Sequence, residues 1–221
     1  MIRYGQTRMQ AGDDPVGVDR QIRLGGAILG PQRHVCAFFS THDECYRVLL
    51  PFIQEGFESG EKVVHIIDPK RREEHVGRLE SIGIDAAARQ RAGQLDLRVW
   101  ADAHLRDGFF DQERTRAMMG DIRQRSQHEG FRRIRFITHM EWALEARPGV
   151  DALLEYEARA NLVRFADPVI CAYDLAKFGG DVVVDVMRTH PAIIIGGILQ
   201  ENPFFVPPDE FLRELSARRG A

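Results

Sequence analysis

The stretch HVCAFFSTHDECYRVLLPFIQEGF, residues 34–57, contains the two patterns that decide the fold. Its first six residues are apolar apart from His34, which is typical of a strand buried on both faces of a parallel sheet. Thr41-x-x-Glu44 is a capping box, which marks the start of a helix. The apolar residues that recur after it at helical spacing are Tyr46, Leu49, Leu50, Ile53 and Phe57. The stretch therefore predicts a strand followed directly by an amphipathic helix, which Pro51 should kink or divide.

The rest of the chain repeats this alternation of strands and helices. Further strands are predicted at 62–68, 95–100, 133–138, 169–174 and 192–196. Helices are predicted at 71–82, 110–128, 150–164, 181–188 and 208–217. Strands that alternate with helices favour an α/β fold with an open, mostly parallel sheet of five or six strands, covered by helices on both faces.

Composition limits the class of protein and its partners. The chain has 221 residues, of which 44% are hydrophobic and 29% charged, with a net charge of −3. A slightly acidic chain is a poor match for nucleic acid, and no apolar run approaches the roughly 20 residues that span a bilayer. The three cysteines form no CxxC pair, and the N-terminus lacks the apolar run of a signal peptide. We therefore expect a cytoplasmic protein with free thiols.

Three segments are predicted from these patterns. Residues 1 to about 20 show no sustained apolar period, and residues 1–30 are expected to be an N-terminal arm, partly disordered. Residues 31–207 hold the alternating strands and helices and are expected to form the main domain. Residues 208–221 are expected to form a C-terminal helix.

A phosphate-binding loop is absent from the sequence. Such a loop requires G-x-x-x-x-G-K-[ST] between a strand and a helix. The segment from Gly56 to Lys62 has the wrong spacing and lies between a helix and a strand instead. Nucleotide binding by this mechanism is therefore disfavoured.

Polar and aromatic side chains share faces of two predicted strands. Because side chains two residues apart lie on one face of a strand, His34, Cys36 and Phe38 should lie together, as should Cys171 and Tyr173. Ligands of open α/β sheets bind beyond the carboxyl ends of the strands. These residues are candidate ligand contacts, although a buried cysteine also serves as a small apolar side chain in many cores.

Three carboxylates are candidate polar anchors. Asp174 ends the fifth strand, where it either contacts a ligand or caps the next turn. Glu141 follows the fourth strand, at the place where nucleotide hydrolases of this sheet type keep an acidic residue, or it pairs with Arg135. Glu157 flanks the apolar face of a helix, so its carboxyl must be paired, hydrogen-bonded or protonated.

Two thiols and two histidines allow a metal site. If the first and fifth strands are neighbours, Cys36 and Cys171 come close, and with His34 and His190 they could bind a soft metal such as zinc or copper. The alternative is a thiol patch in an apolar pocket wall. We favour the patch and expect no metal or cofactor, because helices covering the middle of a parallel sheet leave a metal no access path.

Taken together, ordered pieces of the chain resemble the MEDS domain, the methanogen/methylotroph sensory domain. The matching pieces are HVCAFF (34–39), LPFIQEG (50–56), GEKVVH (60–65), MEW (140–142), YE (156–157), CAYD (171–174), HP (190–191) and NP (202–203). The resemblance implies a RecA-like α/β fold without a phosphate loop and a role in sensing small molecules, suggested to be hydrocarbon derivatives. Family members usually carry a DNA-binding or histidine-kinase output domain, and we expect this chain to act through a separate partner instead.

The preferred hypothesis is a non-catalytic ligand-binding module for signal transduction or transcriptional regulation, with its pocket at the carboxyl edge of the sheet. The predicted ligand contacts are Phe38, Tyr46, Trp142, Tyr156, Cys171, Tyr173, Glu141, Glu157, Asp174, His34 and Cys36. The expected partners are a small apolar or weakly polar ligand and a signalling protein such as a kinase, a regulator or a sigma-factor circuit, without nucleic acid or membrane; a homo-oligomer is possible. The alternatives are a diverged RecA-like nucleotide hydrolase that uses Glu141, and an interaction scaffold without a pocket.

Overall fold

A short hairpin precedes the main sheet. The computed structural model describes residues 21–162 and 166–220. In it, β1 (Arg23–Leu24) pairs with β2 (Ala27–Ile28). The turn needs glycine, because Gly25 has a φ of 53° and a Cβ there would lie 2.9 Å from the backbone nitrogen of Leu199. The part of the predicted arm from 21 to 30 is thus folded onto the core, and residues 1–20 lie outside the described residues.

Seven strands form the main sheet. They are β3 (His34–Phe39), β4 (Lys62–Ile67), β5 (Leu95–Val99), β6 (Ile134–His139), β7 (Val169–Asp174), β8 (Ala192–Ile195) and β9 (Ile198–Glu201). Their order is β5-β4-β6-β7-β3-β8-β9, and all neighbours are parallel except β8 and β9. The mostly parallel α/β fold is as predicted. The sheet has one strand more than expected, because Gly196 and Gly197, both with positive φ, turn the chain back into β9.

Helices cover both faces of this sheet. They are α1 (His42–Glu58), α2 (Arg72–Ser81), α3 (Ala86–Arg91), α4 (Gln112–His128), α5 (Leu153–Ala160), α6 (Gly180–Arg188) and α7 (Pro208–Arg219). One apolar core lies under α1 and α2, and a second lies under α4, α5 and α6. The predicted helix at 150–164 begins as a 3₁₀ turn and ends as α5 at Ala160, while α3 was not predicted.

The start of α1 is capped by Thr41 as predicted, but the carboxylate of Glu44 binds the amide of Ser40 instead of the Thr41 amide that a capping box requires. The Thr41 hydroxyl accepts from the Glu44 amide at 3.2 Å, and the Glu44 carboxylate accepts from the Ser40 amide at 2.8 Å. The helix then continues through Pro51 as one element of 17 residues, so it is not divided in two. In the part of the chain that the structure describes, no helix is both long and apolar enough to cross a membrane.

Arg135 is a buried cation on the α1 face of the sheet, and it does not pair with Glu141. Its Nε lies 2.5 Å from Glu61 Oε2, and its Nη1 lies 2.9 Å from Glu55 Oε2. The alternation along β6 turns Arg135 toward α1, whereas Glu141 follows the end of the strand in a 3₁₀ turn and lies 3.5 Å from Lys177 Nζ. The alternative of an Arg135–Glu141 pair is therefore wrong.

Candidate functional site

Four buried polar residues meet on the other face of the sheet, beneath α5 and α6. We call His34, Glu157, Cys171 and His190 the buried cluster; all four are at most 3% exposed. The parallel pairing of β3 with β7 brings His34 to the strand that carries Cys171. Glu157 reaches in from α5, and His190 follows the end of α6. The cluster thus joins residues from four separate elements.

Glu157 Oε2 lies at the centre of the cluster. It is 3.3 Å from His34 Nε2, 3.5 Å from His190 Nε2 and 3.9 Å from Cys171 Sγ. Cys171 Sγ is also 3.6 Å from His34 Nε2. The other carboxylate oxygen accepts a 2.7 Å hydrogen bond from the hydroxyl of Tyr173. The free electron pairs of the cluster therefore converge on one small volume.

A second layer of hydrogen bonds orients both imidazoles. His34 Nδ1 lies 3.1 Å from Asn161 Oδ1, and His190 Nδ1 lies 2.9 Å from the carbonyl oxygen of Val186. The amide of Asn161 is oriented in turn, since its nitrogen donates to the carbonyl oxygens of Thr189 at 2.6 Å and Glu157 at 3.0 Å. His190 Nδ1 also lies 3.0 Å from Thr189 Oγ1, whose hydrogen is donated to the carbonyl oxygen of Val186. The oxygens that face the two Nδ1 atoms therefore act as acceptors, so each Nδ1 carries a proton and each Nε2 points into the cluster.

Burial sets the charge state of the cluster. Burial raises the pKa of Cys171 well above its ordinary value, and the nearby Glu157 raises it further. Burial and His34 lower the pKa of His190 to about 3. Burial acts to raise the pKa of Glu157, but attraction to His190 in its protonated form, together with His34 and the hydroxyl of Tyr173, lowers it to about 2. At neutral pH the cluster thus holds a carboxylate beside a thiol and a neutral His190.

Open space reaches the cluster from two sides. A cavity of about 20 Å³ lies against His34, Glu157 and Cys171. Beside it, a cleft of about 520 Å³ opens between α4 and α5, which we call the α4–α5 cleft. Five residues line both spaces: Met119, Phe136, Tyr156, Ala160 and Val169. A further opening of about 380 Å³ at the amino ends of the strands is lined by His34 and Asn161.

The carboxyl edge of the sheet, where the sequence predicts the pocket, is nearly filled. Asp174 lies 3.5 Å from His42 and 3.6 Å from Lys177, which also contacts Glu141. The space among them is about 10 Å³. Glu141 and Asp174 therefore come together as predicted, but in an ion-pair network rather than in a pocket.

The remaining predicted contacts are spread over the molecule. Phe38 packs on Tyr173 in the core under α4 to α6, where Trp142 stacks on His104. Tyr46 lies on the opposite face of the sheet, against His75. Cys36 is buried with its sulfur 3.9 Å from the carbonyl oxygen of Ala192, outside the buried cluster. The eleven predicted residues thus do not share one pocket, because strand alternation and α1 separate them.

Sequence reasoning missed Asn161 and did not connect Glu157 with the two histidines. The signal was present in part, because Asn161 follows Glu157 by four residues and so lies on the same side of a helix. His190, considered as a metal ligand from the sequence, does join His34 and Cys171. Cys36, considered with them, does not.

Comparisons with known proteins agree with this fold. The family model described as MEDS, the methanogen/methylotroph, DcmR sensory domain, matches residues 33–191. The transcriptional repressor DcmR of Methylorubrum extorquens is 22% identical over 196 residues, which are 82% of this chain and 67% of that protein. A KaiC-like protein of Pyrococcus horikoshii OT3 superposes with a TM-score of 0.52 at 12% identity, over 73% of this chain and 69% of that one. This last likeness shows the RecA-like fold alone.

The family match runs from β3 to the residue after His190 and so contains every residue of the buried cluster. The distant relative is itself a regulator of transcription. This protein therefore belongs to the MEDS family of sensory domains.

Proposed function

We propose that this protein binds a small, mostly apolar molecule in the α4–α5 cleft and passes the signal to a separate regulatory protein. The observation that carries the proposal is the cleft itself. Its volume of about 520 Å³ lies within the usual range for small-molecule sites. Met119, Phe136 and Val169 supply apolar walls, and the cleft continues inward to the buried cluster.

Polar groups of the cleft suit a ligand with one polar end. Among the described residues, the hydroxyl of Tyr156 donates to the sulfur of Met119 at 3.7 Å, a weak acceptor that a better one would replace. Burial raises the pKa of Tyr156 well above its ordinary value, so the hydroxyl keeps its proton and remains a donor. Arg123 pairs with Asp167 at the rim. A short alcohol, ketone or halogenated alkane matches this arrangement, in line with the hydrocarbon derivatives that the resemblance implies.

Binding without catalysis is the function that the carboxyl edge favours. In RecA-like proteins that hydrolyse nucleotides, the phosphates lie after the first core strand, at the start of the next helix. Here that helix start is occupied by the side-chain cap of α1, and Asp43 and Glu44 lie in its first turn. Glu141 and Asp174 lie at the same edge, where Lys177 pairs with both. The acidic first turn of α1 and the absence of a phosphate-binding loop in the sequence both disfavour phosphate groups there, so a nucleotide hydrolase is the weaker candidate.

A stability screen tests the binding proposal. Calorimetric melting is measured with a series of one- to six-carbon alcohols, ketones and chloroalkanes. We expect at least one to raise the melting temperature saturably, since a ligand at 100 times its Kd adds about 2.7 kcal/mol. Ala160→Phe fills the cleft and should abolish that rise, while Ala217→Phe on the exposed face of α7 is the matched control. A series without any saturable effect, or an equal effect in Ala160→Phe, contradicts the proposal.

A nucleotide titration tests the weaker candidate. We expect no heat of binding with ATP and Mg²⁺ and no ATP turnover above background, because no loop holds the β- and γ-phosphates. Turnover that disappears in Glu141→Gln would instead support a hydrolase.

A further inference from the structure

We propose that the buried cluster binds one divalent transition-metal ion, zinc or a metal with similar ligand preferences. His34 Nε2, His190 Nε2, Glu157 Oε2 and Cys171 Sγ would be the four ligands, and all lie within 4.8 Å of one another. This reverses the expectation from the sequence, which favoured a thiol patch. The proposal concerns the chain's own side chains and stands whether or not a small molecule binds in the α4–α5 cleft.

The spacing of the ligand atoms fits a tetrahedral ion. Zinc lies about 2.0–2.1 Å from imidazole nitrogen, about 2.0–2.2 Å from carboxylate oxygen and about 2.3 Å from thiolate sulfur. Tetrahedral angles then separate the ligand atoms by about 3.3–3.6 Å. In the structure, Glu157 Oε2 is 3.3 and 3.5 Å from the two Nε2 atoms, and Cys171 Sγ is 3.6 Å from His34 Nε2. The sulfur–carboxylate distance, 3.9 Å, needs to shorten, and the distances from His190 Nε2 to His34 Nε2 and to Cys171 Sγ are at most 4.8 Å.

The hydrogen bonds around the cluster leave its electron pairs for a cation. Asn161 and Val186 accept from the Nδ1 atoms, which fixes the tautomer in which Nε2 is a ligand. Tyr173 holds Glu157 Oε1 and leaves Oε2 toward the cluster. Among the described residues, His190 Nε2 has no hydrogen-bond partner although it is fully buried. An unprotonated nitrogen facing a carboxylate oxygen at 3.5 Å is a repulsive contact that a metal ion makes attractive.

Charge balance also favours a divalent ion. Binding replaces the S–H bond of Cys171 by a metal–sulfur bond, and the proton leaves to solvent. One carboxylate, one thiolate and two neutral imidazoles carry two negative charges, which a divalent cation cancels. A neutral site of this kind tolerates complete burial, whereas an uncompensated charge does not. Mixed nitrogen, sulfur and carboxylate ligands are typical of zinc and neighbouring transition metals, not of magnesium or calcium.

An opening at the amino ends of the strands lies beside the cluster. His34 and Asn161 line this opening of about 380 Å³, and His34 also contacts the inner cavity of about 20 Å³. His34 separates the two spaces, so a metal ion entering by this route requires His34 to move. The thiols do lie mid-strand under helices, but the opening is at the strand ends, which the sequence pattern does not reveal.

Cys36 offers a matched control for the experiment. It is opposite Cys171 in the pairing of β3 with β7, and it is equally buried, but its sulfur is not among the four ligand atoms. Cys171→Ser and Cys36→Ser thus make the same change in the same core. Only the former should affect metal binding.

The full-length chain, stripped with a chelator and dialysed, is titrated with Zn²⁺ or Co²⁺ alone. We expect one ion per chain by mass spectrometry. Co²⁺ should give the intense visible bands of a tetrahedral site and a thiolate-to-cobalt band in the near ultraviolet. Cys36→Ser should keep both signals, whereas Cys171→Ser should lose the thiolate band and bind at least tenfold more weakly. Glu157→Gln, which keeps a side chain of the same shape, is the second variant if Cys171→Ser fails to fold by circular dichroism.

Three results would overturn the proposal. The wild-type chain could bind no stoichiometric metal. It could bind Co²⁺ with the weak bands of a six-coordinate ion and no thiolate band, which would place the ion elsewhere, for instance among His42, Glu141 and Asp174. Cys36→Ser and Cys171→Ser could also weaken binding equally.

Discussion

His65 lies in the middle of β4 with both ring nitrogens buried, and neither nitrogen has a hydrogen-bond partner in the described part of the chain. Its ring centre is 4.2 Å from that of His75 and 5.1 Å from that of His139. Burial lowers the pKa of His65 well below its ordinary value. Burial also lowers the pKa values of His75 and His139 to about 3, and the positive charge of Arg71 contributes to lowering both. The other charged or titratable groups acting on these rings are Arg72, His42, Lys177 and Asp68.

These histidines should make stability depend on pH. Each has a folded-state pKa below the 6.5 of the unfolded chain, so below pH 6.5 the unfolded chain takes up protons first. Stability is therefore complete above about pH 6.5 and falls as the pH drops toward the folded values. Each histidine contributes up to about 1.4 kcal/mol per pH unit. We expect urea unfolding of chelator-treated protein between pH 7.5 and 5 to show this loss.

His65→Leu should make that pH dependence shallower, because it removes one of the titrating groups and no hydrogen bond. His128→Leu is the control, since His128 lies on the exposed face of α4. Equal slopes for His65→Leu and the wild type would contradict the assignment.

At the scale of elements, α1 packs unusually close to β6 at Gly56. A Cβ at this position would lie 2.8 Å from Arg135 Cδ and 2.9 Å from its Nε. The Arg135 side chain has no room to retreat, because it is 1% exposed and held by Glu61 and Glu55. The close contact explains a glycine in the interior of a helix, where it is otherwise unfavourable.

Gly56→Ala should therefore destabilise the protein although alanine is the better helix former. We expect a loss of about 1–3 kcal/mol from overpacking, reduced by about 1 kcal/mol of helix propensity. Gly77→Ala in α2 is the matched control, because a Cβ there meets nothing within 4 Å. It should stabilise by up to about 1 kcal/mol. Urea denaturation of both variants measures the difference, and a stabilised Gly56→Ala would refute the packing argument.

The helix α5 links the two candidate sites. Tyr156 and Ala160 line the α4–α5 cleft. The next residue after Tyr156 is Glu157, at the centre of the buried cluster, and the next after Ala160 is Asn161, which binds His34 of the cluster. Ala158 on the same helix packs against Phe211 of α7. A ligand that displaces α5 would thus disturb the cluster and α7 together, which suits a sensory domain.

At the scale of the whole molecule, the amino-terminal hairpin closes one core. Ile22, Leu24 and Leu29 are buried in the cluster of apolar side chains that also holds α1 and β8. The backbone nitrogen of Arg23 also donates to Glu55 at 3.1 Å. Residues 1–20, by contrast, show no apolar period in their sequence.

Two truncations should therefore differ. Deleting residues 1–20 should shift the melting temperature by no more than a few degrees. Deleting residues 1–30 should cost several kcal/mol, since each buried Leu or Ile side chain contributes about 1.5–3 kcal/mol and total stability is about 5–15 kcal/mol. Calorimetry on the two truncated chains makes the comparison. A large drop on removing only residues 1–20 would show that the composition argument fails.

The sequence by itself determined the class of fold and most of the elements, but not β1, β2, β9 or α3. Apolar runs, helical periods and the Thr41 helix cap depend on residues within about one element of each other, so they are legible without the structure. The predicted strands at 34–39 and 169–174 match β3 and β7 residue for residue. The resemblance to the MEDS domain could also be recognised from the sequence, because it rests on short segments in a fixed order. The family match over residues 33–191 confirms it.

Only the tertiary structure decided which side chains meet. His34 and Cys171 are 137 residues apart and come together because β3 and β7 are neighbours in the sheet. Glu157 and His190 join them through the packing of α5 and α6, and Arg135 turned to Glu61 rather than to Glu141. In a parallel sheet, neighbours are brought together by long crossovers, and the direction of each side chain depends on its face and on what covers it. Local periodicity carries no information on either. The sequence therefore predicted a pocket at the carboxyl edge, whereas the structure has the α4–α5 cleft and the buried cluster on the face under α4, α5 and α6.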